Sequence, residues 1–509
     1  MTFTVAKPSE APRTAFAWPV RHATTLLVLA IAWGAFSFGA VYDWAYWPLA
    51  LALTAVASVG LFVPLPGETR SGFGIRDSGF GGRDSGFGIR SAVGALTASS
   101  LVLGAAMSAV GTAILLQLVP LKFDLLRSLS PETMGLLGQL DLQVRSGAAS
   151  THPMSIAPAL TSTALLLFGS MALTMFGTAR LLSLGGAKPV AESIVIVGVA
   201  LALAGIVQQP LFTGKIYGLW TPFGEGSPYG PFVNKNHFAG WMLMALPLAL
   251  GLLCGGIARA MRGVRHRWRD RLLWFSSPDA NRLILTGSAA ILMALSLVLT
   301  MSRSGIAALA LSLFITGIVV LRRQRDRGRK AVAIAYLVFV AVVVVAWVGT
   351  EAIVDRFTQT DWTEFNGRYG AWTDASNIFA RFPVAGTGLN TYGTATVFYQ
   401  QHDVEHHYVQ AHNDYLQLAA EGGFLVLVPA AIALVAFVAA VRRRFASETS
   451  TMAYWLRVGA VTGLVAIALQ ETVEFSLQMP GNAALCATLC GIALHRAPSK
   501  KQLDNRVME

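Results

Sequence analysis

Apolar runs of about 20 residues alternate with polar connections along almost the whole chain, and each run is long enough to cross a bilayer as a helix. The pattern predicts twelve spans, at 24–42, 46–64, 92–119, 158–179, 190–208, 238–258, 283–302, 305–321, 331–349, 424–441, 458–476 and 480–496. Three longer polar stretches interrupt it: 121–157, 209–237 and the longest, 350–423. The expected architecture is an all-α, polytopic membrane helix bundle of about twelve transmembrane helices, with a large helical external loop. In the first stretch, Phe123–Arg127 and the helix start Ser130-Pro131-Glu132 predict a short amphipathic helix on the surface. In the last, Trp372, Ala375, Ile378 and Phe379 fall at helical spacing, with Asn366-Gly367-Arg368-Tyr369 just before them. Residues 382–388 read as a turn.

Composition agrees with this pattern. The 509 residues are 54% hydrophobic and 13% charged, about half the charge of a soluble protein. The net charge of +12 suggests nucleic acid, but its distribution excludes that reading. With the N-terminus placed inside, 30 of the 39 Lys and Arg residues lie on inside segments and 9 on outside ones. This is the asymmetry that orients membrane proteins. It predicts both termini in the cytoplasm, and Met1–His22 leads into an uncleaved anchor. Cys254, Cys486 and Cys490 lie within apolar runs and form no disulfide framework or CxxC motif. Three copies of a Gly-rich heptad, at 71–90, read as a cytoplasmic linker. The expected division is an N-terminal helical part at 1–204, a second membrane domain at 205–496 that includes the external loop 350–423, and a tail at 497–509.

Charge in the middle of a span is costly, so the ionisable groups at span ends are the candidates for chemistry. Arg303 stands at the tip of a tight hairpin, Ser302-Arg303-Ser304-Gly305, where a guanidinium matches phosphate oxygens or snorkels to lipid. Lys235, Asn236 and His237 precede the span 238–258, and can cap that helix or contact sugar and phosphate. Arg368 is a second phosphate-binding candidate. His412 sits before a helix start near 413–414, where Asp414 and Gln417 resemble a capping box and the helix dipole favours neutral imidazole. Asn413, Gln417 and Glu421 form a polar ridge at i, i+4 and i+8. His402, Glu405, His406 and His407 lie upstream, with His402 and His406 on one face if that segment is helical. HExxH is absent, and the expectation is no metal. Glu471 and Glu474 are placed near the outer end of the span 458–476, to orient an arginine, bind sugar hydroxyls or partner another span. The charge-derived topology puts all these residues on one face.

Together these residues resemble the O-antigen ligase/polymerase superfamily of bacterial membrane glycosyltransferases. The resemblance runs from about Gly205 to the C-terminus and rests on PFVNKNHFAG, TMSRSG, FPVAGTGLNTYG, AHNDYLQLAAEGG and EFSLQMPGNA. His412-Asn413 and Gly423 match the ligase pattern, whereas its last position is Val426 in place of Gly, Thr or Tyr. The resemblance implies a GT-C-like fold and transfer of a glycan from an undecaprenyl-diphosphate carrier, without a metal or other cofactor. The acceptor would be a glycan, lipid A–core or protein, so ligase, polymerase and protein O-oligosaccharyltransferase remain open, as does a lipid-linked sugar flippase. It also implies a bacterial inner membrane location with the site on the periplasmic face, His412 as the catalytic residue, and Arg303 and Arg368 on the diphosphate.

Overall fold

The computed structural model describes residues 14–62, 98–222, 227–260, 277–323 and 362–497. The predicted span at 331–349 and the repeat at 71–90 lie outside them. The apolar runs become helices in chain order: α1 (Thr14–Phe36), α2 (Asp43–Phe62), α3 (Ala98–Leu116), and then, after the first polar stretch, α7 (Pro158–Gly185), α8 (Lys188–Gln208), α9 (Lys235–Ala260), α10 (Pro278–Leu299) and α11 (Arg303–Arg323). The last three are α14 (Asp414–Ser447), α15 (Thr451–Gln470) and α16 (Pro480–Leu494). Among the described residues nine of these are long and apolar enough to cross a membrane, and α3 and α16 carry shorter apolar stretches. The protein is an all-α, multi-pass membrane protein.

The core explains which helices sit at the centre. Along α9, buried Trp241, Leu243, Met244 and Leu248 face neighbours on several sides, whereas α10 and α11 turn Ile291 and Phe314 outward. An outward face of this kind suits lipid rather than water. α9 packs most closely along α15, and the small residues at that contact show why. A Cβ built on Gly251 would lie 2.5 Å from the Trp455 carbonyl oxygen, and one on Gly463 would lie 2.7 Å from that of Met244. Glycine lets two helix backbones approach where lipid supplies no hydrophobic drive for association.

The polar stretches fold onto one end of this bundle. Residues 121–157 form three helices where one was expected: α4 (Phe123–Leu129), α5 (Pro131–Leu140) and α6 (Leu142–Arg145). They are closed by a short antiparallel ribbon of β1 (Leu121–Lys122) and β2 (Thr151–His152). They are tied to the last polar stretch, where Glu132 pairs with Arg381 at 3.5 Å. That stretch carries α12 (Trp362–Arg381) and α13 (Tyr392–Tyr399). Because α12 begins at Trp362, Asn366 and Arg368 lie within it rather than ahead of it. Ala375, Ile378, Phe382, Tyr392 and Ala420 pack α12 and α13 against the start of α14.

α14 is broken at Gly423, whose φ of 54° and ψ of −167° are open in practice only to glycine. The turn 383–388 replaces the lost helical bonds. Phe424 N donates to Pro383 O, Leu425 N to Val384 O, Thr387 N to Ala420 O and Gly388 N to Glu421 O. Gln117, buried at the end of α3, adds bonds from its Nε2 to Ala385 O at 2.6 Å and to Glu421 O at 2.9 Å. The Phe424 and Leu425 N–H groups and the Ala420 and Glu421 carbonyls at the break thus find partners, as a buried helix interruption requires.

Candidate active site

The segments that carry the candidate residues meet around one carboxylate, that of Glu474. α15 ends at Gln470, so Glu471 caps that helix and Glu474 lies in the connection to α16 instead of inside a span. Its Oε1 accepts Arg368 Nη2 from α12 at 3.0 Å and Asn236 Nδ2 from α9 at 2.8 Å. Ser304 Oγ, at the α10–α11 hairpin, lies 3.5 Å from the same oxygen. Its Oε2 faces His412 Nδ1 at 4.0 Å. The Glu474 side chain is 1% exposed, and those of Arg368 and His412 are 23% and 26% exposed. A buried anion thus backs a cation and an imidazole that both reach the surface.

Each motif supplies this arrangement through its backbone. Asn234 Oδ1 accepts Asn236 N, which starts α9 and aims Asn236 at Glu474. His237, the next residue, is buried with its ring 4.7 Å from that of Phe475, and Phe475 lies 4.8 Å from the His412 ring. The connection carrying Glu474 is bonded to the same turn, since Ser476 Oγ donates to Asn236 O, and the helices on either side add Gln470 Nε2 to Asn236 O and Asn482 Nδ2 to His237 O. Lys235 is half-buried at the helix start, and its N–H bonds Ser227 O. In the hairpin, Ser302 Oγ accepts Gly305 N at the start of α11. A Cβ on Gly305 would sit 2.8 Å from that of Ala239, so the hairpin rests on α9. Arg303 is exposed at its tip, between Ser302 and Ser304.

His412 is held in a left-handed conformation, φ 51°, that costs a non-glycine residue on the order of 1–3 kcal/mol. Neighbouring bonds impose it. Ala411 N donates to Gln417 Oε1, Trp372 Nε1 to the His412 carbonyl, and Asn413 caps α14 by accepting Tyr415 N and Leu416 N. The helix start is therefore where the sequence predicts it, but the cap is Asn413, and Gln417 reaches back to Ala411 rather than completing a capping box. Burial, followed by the Arg368 charge, pulls the His412 imidazole down to about 4, so the ring is neutral at pH 7. Nδ1 is buried and has no hydrogen-bond partner among the described residues.

The other candidates divide into support and periphery. Glu421, on the ridge with Gln417, accepts Asn390 N, Tyr392 N and Gln417 Nε2, so its carboxylate holds the start of α13. The Glu471 carboxyl is buried beside that of Asp414, and burial together with that negative neighbour pushes it well above the usual carboxylate range. Residues 400–413 are not helical, so His402 and His406 share no helix face. His402 Nδ1 pairs with Asp374 at 2.7 Å and His406 Nδ1 with Asp403 at 3.0 Å. Among the described residues no three His, Cys, Asp or Glu side chains are grouped to hold a metal ion. Val426 is buried in the packing of α14 with α3, beyond the Gly423 break. Sequence reasoning passed over Ser304 and Phe475, although both lie in the motifs SRSG and EFSLQ. It also passed over Gln117, which gives no signal beyond a lone amide at the end of an apolar run.

The fold and this cluster define a polytopic helical membrane protein with a polar, partly enclosed site at one end of its bundle. Residues 288–431 match the family model described as O-antigen ligase, so this part of the chain is similar to that family, which supports the O-antigen ligase/polymerase superfamily and a glycosyltransferase activity of that general type. The match includes Arg303, Arg368, His412 and Gly423. Asn236, His237 and Glu474 lie outside it and join the site through the contacts described above. No curated protein matches the chain.

Proposed function

We propose that the protein transfers a glycan from an undecaprenyl-diphosphate carrier to an acceptor hydroxyl, at the periplasmic face of a bacterial inner membrane, in cell-surface polysaccharide synthesis. The observation that carries this reading is the convergence of Arg368, the Ser302–Gly305 hairpin and His412 on Glu474. Arg368 and Arg303 neutralise the leaving diphosphate as preorganised cations, in place of a metal. His412 accepts the acceptor's proton as its oxygen attacks the anomeric carbon, and its neutral imidazole suits that task at pH 7. Lys235, Asn236 and the exposed edge of the Asn413 turn contact sugar or phosphate. Gln417, Glu421 and Glu471 support the turn that carries His412, and His237 supports it through Phe475.

The deciding experiment uses the purified full-length protein in detergent, an undecaprenyl-diphosphate-linked oligosaccharide, and either lipid A–core or a second copy of the donor. Transfer to lipid A–core marks a ligase, and chain growth on the second donor marks a polymerase. Movement of the donor across a liposome membrane, without transfer to either acceptor or to protein, would replace this reading with a flippase.

A further inference from the structure

We propose that Glu474 is a positioning residue that fixes the tautomer of His412, holding the proton on Nδ1 so that Nε2 is the nitrogen that takes the acceptor's proton. This rests on the general-base reading of His412 given above. Three observations lead to it. First, His412 Nδ1 is buried and without a hydrogen-bond partner among the described residues, so the exposed part of the ring lies on its other edge. A buried ring nitrogen left unmatched is costly, and a nearby acceptor relieves that cost. Second, Glu474 Oε2 stands 4.0 Å from that nitrogen. An ionised carboxylate can only accept, so the nitrogen that turns to it must carry the hydrogen, and a neutral imidazole carries just one. Third, the ring has little freedom to present its nitrogens otherwise. The left-handed backbone of His412, the Trp372 bond to its carbonyl and the edge-to-face contact with Phe475 at 86° set its plane.

The other charges around the ring agree with this assignment. Arg368 from α12 lowers the His412 value and His237 from α9 lies within electrostatic reach of the ring, and neither offers it an anion. Glu474 Oε1 is already held by Arg368 and Asn236, which leaves the carboxylate fixed with Oε2 toward the imidazole. The present 4.0 Å is longer than a hydrogen bond, and catalytic contacts of this kind commonly shorten when substrate is bound. The proton balance is then complete. The acceptor oxygen–hydrogen bond breaks and its proton passes to Nε2, while the oxygen bonds the anomeric carbon. The bond from that carbon to the diphosphate oxygen breaks, and the resulting imidazolium keeps its Nδ1 hydrogen on Glu474. The Nε2 proton is returned to the departing diphosphate or to water.

The test compares Glu474→Gln, His412→Ala and the double variant in the donor-transfer assay, using whichever acceptor supports transfer. An amide at 474 still accepts from Arg368 and Asn236, but it can present a hydrogen to Nδ1 and so favour the wrong tautomer. The expected result is a fall in kcat on the order of 10²–10⁴-fold and no larger than that of His412→Ala, with KM for the donor changed less than about twofold and with no further loss when Glu474→Gln is added to His412→Ala. Histidine-selective ¹⁵N NMR of the wild-type protein tests the same point without any variant, because the hydrogen-bearing nitrogen of His412 should be Nδ1. The inference is overturned if that nitrogen is Nε2 or if Glu474→Gln keeps its kcat. It is also overturned if the Glu474→Gln loss lies wholly in donor KM and multiplies with that of His412→Ala. Transfer that survives His412→Ala removes the general-base reading instead. Loss in His412→Ala with full activity in Glu474→Gln removes only the role given to Glu474.

Discussion

Two arginine–glutamate pairs stand at the two ends of α15, and they are built on opposite terms. Arg457 is fully buried, and its three nitrogens go to Ala493 O, Glu448 Oε2 and His495 O at 2.8–2.9 Å. Its guanidinium also lies over Phe445. That pair is closed, and it fastens the end of α16 to the α14–α15 connection. Arg368 makes its contact with Glu474 at the edge of the bundle, keeps about a quarter of its side chain exposed, and shares its partner with Asn236 and Ser304. That pair is open, beside an imidazole with one unmatched nitrogen. A charged pair that is wholly buried holds the fold together. One whose cation is partly exposed at the surface is where the proposed contact with an anion would lie.

The largest effect should come from the open end. His412→Ala should lower glycan transfer by about 10²–10⁴-fold, the usual worth of acid–base help, while the protein still elutes as a single species in detergent. At the closed end Arg457→Ala should cost roughly 3–5 kcal/mol of stability, because it strands a buried carboxylate. A lowered Tm with unchanged transfer per folded molecule would bear this out, and lost activity at full stability would break the contrast. Arg368→Lys should come next, raising donor KM about tenfold through loss of the planar fork, with little change in Tm. An equal fall in Tm would show that the Arg368 pair is structural after all.

The smallest effect is in pH. A neutral imidazole is the form that accepts a proton, and burial and Arg368 hold the His412 value at about 4. Transfer should therefore persist as pH falls through 6.5, and fail only as it approaches about 4. Arg368→Gln removes a like charge, so it should move the acid limb upward. Stability follows the same sign. The folded value is below that of the unfolded chain, so this residue's contribution is present above about 6.5 and is lost as pH falls toward 4.

The sequence made the membrane-spanning pattern legible because every span must hide its own backbone from lipid, which forces long apolar runs. It also made the His412 turn and the hairpin at Arg303 legible, since caps and tight turns are local. The Glu474 cluster is different. Its partners come from α9, the α10–α11 hairpin, α12 and the turn before α14, and nothing in a linear pattern distinguishes Glu474 from Glu471. The same holds for Glu421, which reads as part of a polar ridge with Asn413 and Gln417 but is spent on the backbone of α13. Arg368 reads as lying in the loop before a helix because the amphipathic spacing is clear only from Trp372 onward, whereas the helix begins ten residues earlier.

The break at Gly423 has a consequence for how the protein sits in its solvent. The residues on both sides of the break are bonded to the 383–388 turn, Gln117 holds Glu421 from α3, and beyond Leu425 the helix runs on as a membrane-spanning segment. The break is therefore a fixed corner and not a free hinge: the membrane-spanning part of α14 and the part that follows His412 are tied to one turn, so a bilayer that thickens or thins must tilt both together.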